Sequence, residues 1–166
     1  MTRLDPKVNP EHMEAVRGLC NDTPYLKLLG MDMTKLEPGY CRIDLDVDRK
    51  HYNPFGGFCG GAYASLMDIA AYWCLYGNLD TDDGATTLDL QSNYLRAVTD
   101  GHLVCEGYVT KIGRSICLCK AEIHDEKGRL VANSTSKMFL APGIQPISQC
   151  VDAIAPGTEL PPKFLD

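Results

Sequence analysis

Long apolar runs are missing from this chain of 166 residues. No stretch approaches the roughly 20 apolar residues of a membrane span. The opening MTRLDPKVNPEHMEAVRG lacks the apolar centre of a signal peptide, so a cytoplasmic location is the expectation. Positive charge is also scarce, with 16 Lys and Arg against 22 Asp and Glu, a net charge of −6. That balance argues against nucleic acid or an anionic membrane as a partner, and an anionic ligand would need a local cluster of Lys and Arg. Neither G-x-x-x-x-G-K-[ST] nor a dinucleotide fingerprint after a strand occurs, which removes the usual sequence signs of phosphate-loop and Rossmann nucleotide binding. Internal repeats are absent too.

Cysteine is not scarce: there are eight, at 20, 41, 59, 74, 105, 117, 119 and 150. No C-x-x-C pair occurs, and Cys117-x-Cys119 lies in an alternating, strand-like stretch, where both thiols read as packing. Buried, reduced thiols are expected, with no metal site.

The length favours one compact domain with tails. Pro10 to Cys20 reads as a short helix, followed by a break at Asn21-Asp-Thr-Pro24. Gly30 to Leu36 and Tyr40 to Asp48 read as a hairpin around the turn Glu37-Pro-Gly39. In the second strand Cys41, Ile43, Leu45 and Val47 alternate with Arg42, Asp44, Asp46 and Asp48, which predicts one buried and one wet face. From Gly61 to about Gly77 the period changes, with Ala62, Leu66, Ile69, Trp73 and Tyr76 recurring at three and four residues on a segment apolar nearly all round. That is the pattern of a core helix.

A polar loop over Leu79–Gly84 precedes four expected strands, at Ala85–Ala97, Gly101–Ile112, Ser115–His124 and Arg129–Leu140. Thr99-Asp-Gly101 and Asp125-Glu-Lys-Gly128 supply turn chemistry between them. The fold class read from this order is α+β, an antiparallel sheet wrapped around a long central helix. The segments are an N-terminal helical part (1–28), a main domain (29–140) and a proline-rich, extended C-terminal tail (141–166).

Asp68 is the sole Asp, Glu, Lys or Arg between Lys50 and Asp80. A carboxylate two turns into a core helix is costly unless hydrogen-bonded, paired or facing a wet cleft. It reads either as a buried acid bonded to the sheet or as a general base or nucleophile lining a cleft. The preceding NPFGGFCGG places Gly56-Gly57 and Gly60-Gly61 before the helix N-terminus, where free N–H groups and the helix dipole suit a developing oxyanion.

The pattern Asn53-x-x-Gly56-x-x-Cys59-Gly60-Gly61, then Asp68 nine residues after Cys59, resembles the hotdog-fold acyl-CoA thioesterases of the phenylacetate and 4-hydroxybenzoyl-CoA type. Asn93-Tyr-Leu-Arg96, Lys111-Ile-Gly-Arg114 and Asp125-Glu-Lys-Gly128 follow in the family's order. The resemblance implies a hotdog fold and hydrolysis of an acyl-CoA thioester. It makes Asp68 the base or nucleophile, Gly60 the carbonyl-polarising amide, Asn53 a positioner and Thr87 a holder of the attacking water. It places pantetheine against Gly113, Arg114 and Ser115, and CoA phosphates near Arg96, Lys111 and Arg114. No separate cofactor is implied, CoA being part of the substrate. The expected assembly is a homodimer with shared sites, with pairing of dimers into tetramers left open. An apolar acyl pocket is expected from residues such as Phe55, Phe58, Tyr63, Met67 and Tyr72.

Cys59 departs from the family, which usually has His there, and a thiol cannot replace imidazole in proton transfer at neutral pH. Three readings stay open: a packing substitution that leaves Asp68 chemistry intact, a binding or sensing module with hydrolysis lost, or a thiolate nucleophile at the helix N-terminus. The last needs a base, for which His51 is nearest in sequence.

Overall fold

The computed structural model describes residues 7–80 and 83–165. Helices α1 (Pro10–Asn21) and α2 (Pro24–Leu29) come first, then the hairpin β1 (Met31–Glu37) and β2 (Tyr40–Asp46). A single 3-10 turn, Arg49–His51, leads through a loop to the long helix α3 (Gly60–Tyr76). Strands β3 (Asp83–Tyr94), β4 (His102–Lys111), β5 (Ile116–Asp125) and β6 (Leu130–Pro142) follow, and α4 (Ile147–Ile154) closes the order. The strands form one antiparallel sheet ordered β1-β2-β4-β5-β6-β3. This is the α+β architecture expected from the sequence.

The inner face of the sheet is mostly apolar, with Ser134 and Ser136 of β6 as buried polar exceptions, and α3 fills the concavity. Cys41, Ile43 and Leu45 of β2, Cys105 of β4, Cys117, Cys119 and Ile123 of β5 and Met138 of β6 meet Leu66, Met67, Ala70 and Cys74 of α3 in one core. Gly107 sets how close helix and sheet come. A Cβ there would lie 2.1 Å from the Ala70 carbonyl oxygen, so any side chain would push α3 off β4. Truncating a large core residue such as Leu66, which is fully buried, costs about 2–5 kcal/mol in such settings. All eight cysteines are free, six of them buried, with Cys59 and Cys150 half-buried.

The two ends of the sheet differ. The β1 edge is covered by α1, whose Met13, Val16 and Cys20 enter the core. At the other end β3 has no further strand beside it among the described residues, and Leu88, Tyr94 and Leu95 are about half exposed along and just beyond it. Helix α1 and the segment around Pro161–Lys163 meet at the last turn of α3. His12 bridges the Pro161 carbonyl (2.6 Å) and the Tyr76 hydroxyl (2.7 Å). Lys163 donates to the Tyr76 carbonyl at 2.9 Å while its ammonium lies 4.0 Å from the Tyr76 ring centroid.

Two helices depart from the sequence reading. α2 begins with Pro24 at N1 and ends at Gly30 in the left-handed conformation (φ 68°), the favoured start and stop of a short helix. In the C-terminal segment, expected to be extended, α4 turns Ile147, Cys150, Val151 and Ile154 to one side, at three- and four-residue spacing. Its single buried residue is Val151. Among the described residues no helix is long and apolar enough to cross a membrane.

Candidate active site

Asp68 lies in the middle of α3, half-buried, and faces the inner side of β3. The Thr87 hydroxyl donates to its Oδ1 at 3.0 Å. Thr87 precedes a register shift between Thr87 and Asp89. The bulge turns Leu88 outward to 55% exposure while Thr87 keeps its place against the helix. The acid therefore has one oxygen held by a neutral donor. The cleft it borders has a volume of about 390 Å³ and is also lined by Ile69, Tyr72, Trp73, Thr86 and Gln145.

Gly60 occupies a second cleft, of about 360 Å³, with Phe58, Tyr63, Tyr94 and Arg96. As the first residue of α3 it has a backbone N–H with no partner inside the helix. A Cβ at Gly60 would meet only the Tyr94 ring, at 3.7 Å, and one at Gly61 only Cys59 Sγ, at 3.9 Å. Packing within one copy therefore does not demand either glycine. What they keep open is space in front of free amides. Eight residues of helix separate Gly60 from Asp68, about 12 Å along the axis. One thioester carbonyl cannot touch both within a single copy.

The loop before the helix is shaped by Asn53. Its Oδ1 accepts from the N–H groups of Phe55 (2.9 Å) and Gly57 (3.2 Å), and its backbone N–H donates to the Gly57 carbonyl at 2.8 Å. Gly56 at φ 81° completes the turn. The Asn53 carbonyl oxygen is thus committed to the loop, and its Nδ2 group is the part left to meet a ligand.

Cys59 is the N-cap of α3, but its side chain makes no capping bond. Its sulfur packs against the core, while its backbone N–H donates to the His51 carbonyl at 2.8 Å. The His51 ring is already engaged at both nitrogens. Nδ1 accepts the Asp48 N–H at 2.9 Å, which leaves the proton on Nε2, bonded to the Leu29 carbonyl at 2.6 Å. A buried imidazole tied to backbone on both sides cannot serve as the base for a Cys59 thiolate.

The remaining predicted positions fall into two places. Arg96 stands exposed beside the Gly60 cleft. Lys111 ends β4, and Gly113, Arg114 and Ser115 lie in the β4–β5 turn. There a Cβ on Gly113 would lie 2.2 Å from the Ile116 carbonyl oxygen, and the Ser115 carbonyl accepts from the Leu140 N–H at 2.8 Å. Of the residues expected to line an acyl pocket, Tyr72 borders the Asp68 cleft, whereas Phe58 and Tyr63 belong to the Gly60 cleft. Met67 is fully buried in the core and Phe55 is 96% exposed. The sequence reading missed Gln145 at the Asp68 cleft, because the tail's prolines pointed to an extended segment, and it counted Trp73 only in the apolar pattern of the core helix. Among the described residues no cluster of three or more His, Cys, Asp or Glu is arranged to hold a metal.

The thioesterase superfamily profile matches residues 55–132, the span from the glycine loop through β5 and into β6. A proofreading thioesterase, EntH, of Klebsiella pneumoniae is 31% identical over 103 residues, which cover 61% of this chain and 74% of that protein. A 1,4-dihydroxy-2-naphthoyl-CoA hydrolase of Listeria monocytogenes is 26% identical over 106 residues, 64% of this chain and 86% of the relative. Among solved structures, a thioesterase of Haemophilus influenzae superposes with a TM-score of 0.68 at 22% identity, covering 80% of this chain and 92% of the other. The phenylacetic acid degradation protein PaaI of Thermus thermophilus, in a mutant form, gives 0.65 at 23% identity, over 70% and 98%. With this fold, this order of motifs and these relatives, the chain belongs to the thioesterase superfamily and has its hotdog fold.

Proposed function

We propose that the protein hydrolyses an acyl-CoA thioester to the free acid and CoA, in sites shared between two copies of the chain. The observation that carries this reading is the Thr87–Asp68 hydrogen bond at 3.0 Å in a wet cleft, about 12 Å along the helix from the free Gly60 amide. A twofold pairing of copies would bring the amide of one to the acid of the other. The β3 end strand, twelve residues long and flanked by exposed apolar side chains, supports such pairing.

In the proposed reaction the Gly60 N–H donates to the thioester oxygen and favours the charge that develops there. Asp68 takes a proton from water as the water oxygen bonds to the carbonyl carbon. The C–S bond then breaks, and the proton passes to the departing CoA sulfur. Thr87, donating to Oδ1, orients the carboxylate with Oδ2 toward the water. Asn53 holds the glycine loop in shape and offers Nδ2 to the substrate. Gly113 and Ser115 present backbone to pantetheine, and Arg96, Lys111 and Arg114 offer charge to the phosphates. Cys59 fills space and takes no part in proton transfer, as its packed sulfur and the engaged His51 ring support.

The test is thiol release from a panel of acyl-CoAs by wild type and Asp68→Asn. Loss of a general base costs about 10²–10⁴-fold in rate, so the variant should lose at least about 100-fold in kcat while still binding acyl-CoA. Equal, slow release by both proteins would sink hydrolysis and leave an acyl-CoA-binding module.

A further inference from the structure

We propose that the segment after β6, through α4, roofs the acyl pocket and sets which acyl groups are accepted; this rests on the reaction proposed at Asp68. Beyond the Asp68 cleft lies a second cavity of about 290 Å³. Its walls include Tyr72, Trp73, Tyr76 and Leu79 on and just after α3, and Ile147 and Cys150 on α4, with Asp83 and Gln149 also bordering it. Tyr72, Trp73 and Gln145 line both spaces. An acyl group whose thioester carbonyl stands at Asp68 therefore finds an apolar, aromatic chamber directly behind it.

Three features show the chamber to be built. Gln145 is the one non-glycine among the described residues with positive φ, at 46°, and it sits at the mouth common to both cavities. Such a backbone persists only where its surroundings enforce it. They do so at β3, where the Ile144 carbonyl oxygen occupies the place a Gly84 side chain would take, 1.5 Å from an added Cβ. The rear wall is fixed as well, because His12 and Lys163 hold Tyr76 by its hydroxyl, carbonyl and ring. The roof also lies beyond the span shared with the family profile, which ends at residue 132.

The lining sets the substrate class: an aromatic, largely apolar space of about 290 Å³ suits an apolar acyl group larger than acetyl. A medium straight chain or an aryl group meets that description, and CoA esters of both kinds form the arms of the test.

Trp73 is the single tryptophan, so its fluorescence reports occupancy of the chamber independently of turnover. Non-hydrolysable thioether analogues of octanoyl-, aryl- and acetyl-CoA are titrated while Trp73 emission is followed. Thiol release is measured in parallel for the matching thioesters. The expected result is a saturable emission change with octanoyl or aryl analogues and none with the acetyl analogue or CoA. Cys150→Phe, which fills the chamber from the roof, should abolish that change. It should also lower the octanoyl-to-acetyl ratio of kcat/KM at least about tenfold, the discrimination expected for groups denied an apolar pocket. Ile147→Ala, which enlarges the chamber, should shift the preference to longer chains. Ongoing hydrolysis with silent Trp73 and unchanged chain-length profiles in both variants overturns the roofed pocket and leaves the hydrolase reading intact. An emission change without hydrolysis by wild type overturns the hydrolase reading and retains the pocket.

Discussion

The Thr87 hydroxyl, on the last residue of β3 before its bulge, donates to Asp68 Oδ1 at 3.0 Å across the helix–sheet boundary. Only one proton is available on that hydroxyl, and Met138 Sδ, 3.4 Å away, competes weakly for it. The carboxylate is the stronger acceptor. Thr87→Val keeps the shape and deletes the donor. We expect kcat to fall about 10- to 100-fold with KM nearly unchanged, and Thr87→Ser to recover most of the loss. A change confined to thermal stability would mean that the bond serves folding alone.

The separation of Gly60 from Asp68 leads to a complementation experiment. Gly60 is at N1 and Cys59 before it has ψ 137°, a setting that accepts proline. Gly60→Pro therefore removes the N–H with little strain. Loss of one oxyanion donor costs about 10²–10³-fold, and Asp68→Asn is similarly impaired. Mixing the two variants under conditions of subunit exchange should restore about a quarter of wild-type activity, since half the dimers are mixed and each holds one intact site. Mixtures no more active than either parent would refute sites shared between copies.

Cys59 offers a direct check on the nucleophile. Its sulfur is packed and the nearest imidazole is bonded at both nitrogens. Cys59→Ser and Cys59→Ala should keep kcat within about threefold, less than the 10²–10⁴ that a group in proton transfer supplies. Abolished thiol release in well-folded Cys59→Ser would make the thiolate the nucleophile after all. Cys59→His measures the cost of the family's missing imidazole, and acceleration is expected.

Lys163 gives a pH dependence of stability. It is 4% exposed, and burial lowers its pKa to about 8, with Asp80 and Asp83 opposing. An unfolded lysine holds its proton to about 10.4. Between those values the unfolded chain binds more protons, so this group's contribution to stability rises with pH across the window and is flat below it. The difference in unfolding free energy between wild type and Lys163→Met should grow by on the order of 2–3 kcal/mol from pH 7.5 to 10.5. A difference independent of pH would show that the lysine keeps its ordinary affinity for protons inside the fold.

Much of this molecule can be read from residue order, because the signals are local. Alternation of Cys41, Ile43 and Leu45 with Arg42 and Asp44 marks β2, and the all-apolar surround of Asp68 marks the core helix. Turn residues bound each hairpin, and the family motifs single out Asn53, Gly60, Asp68 and Thr87. Local signals also existed for α2 and α4, in Pro24 with Gly30 and in the spacing of Ile147, Cys150, Val151 and Ile154, but flanking prolines obscured them. What no local pattern carries is proximity between distant segments. That Thr87 meets Asp68, that His51 is held by backbone, and that Gln145 shares a mouth with Tyr72 depend on how a curled sheet returns the chain to one helix. Periodicity decides which face of each element is buried. Which buried or half-buried groups meet is decided only when the elements pack.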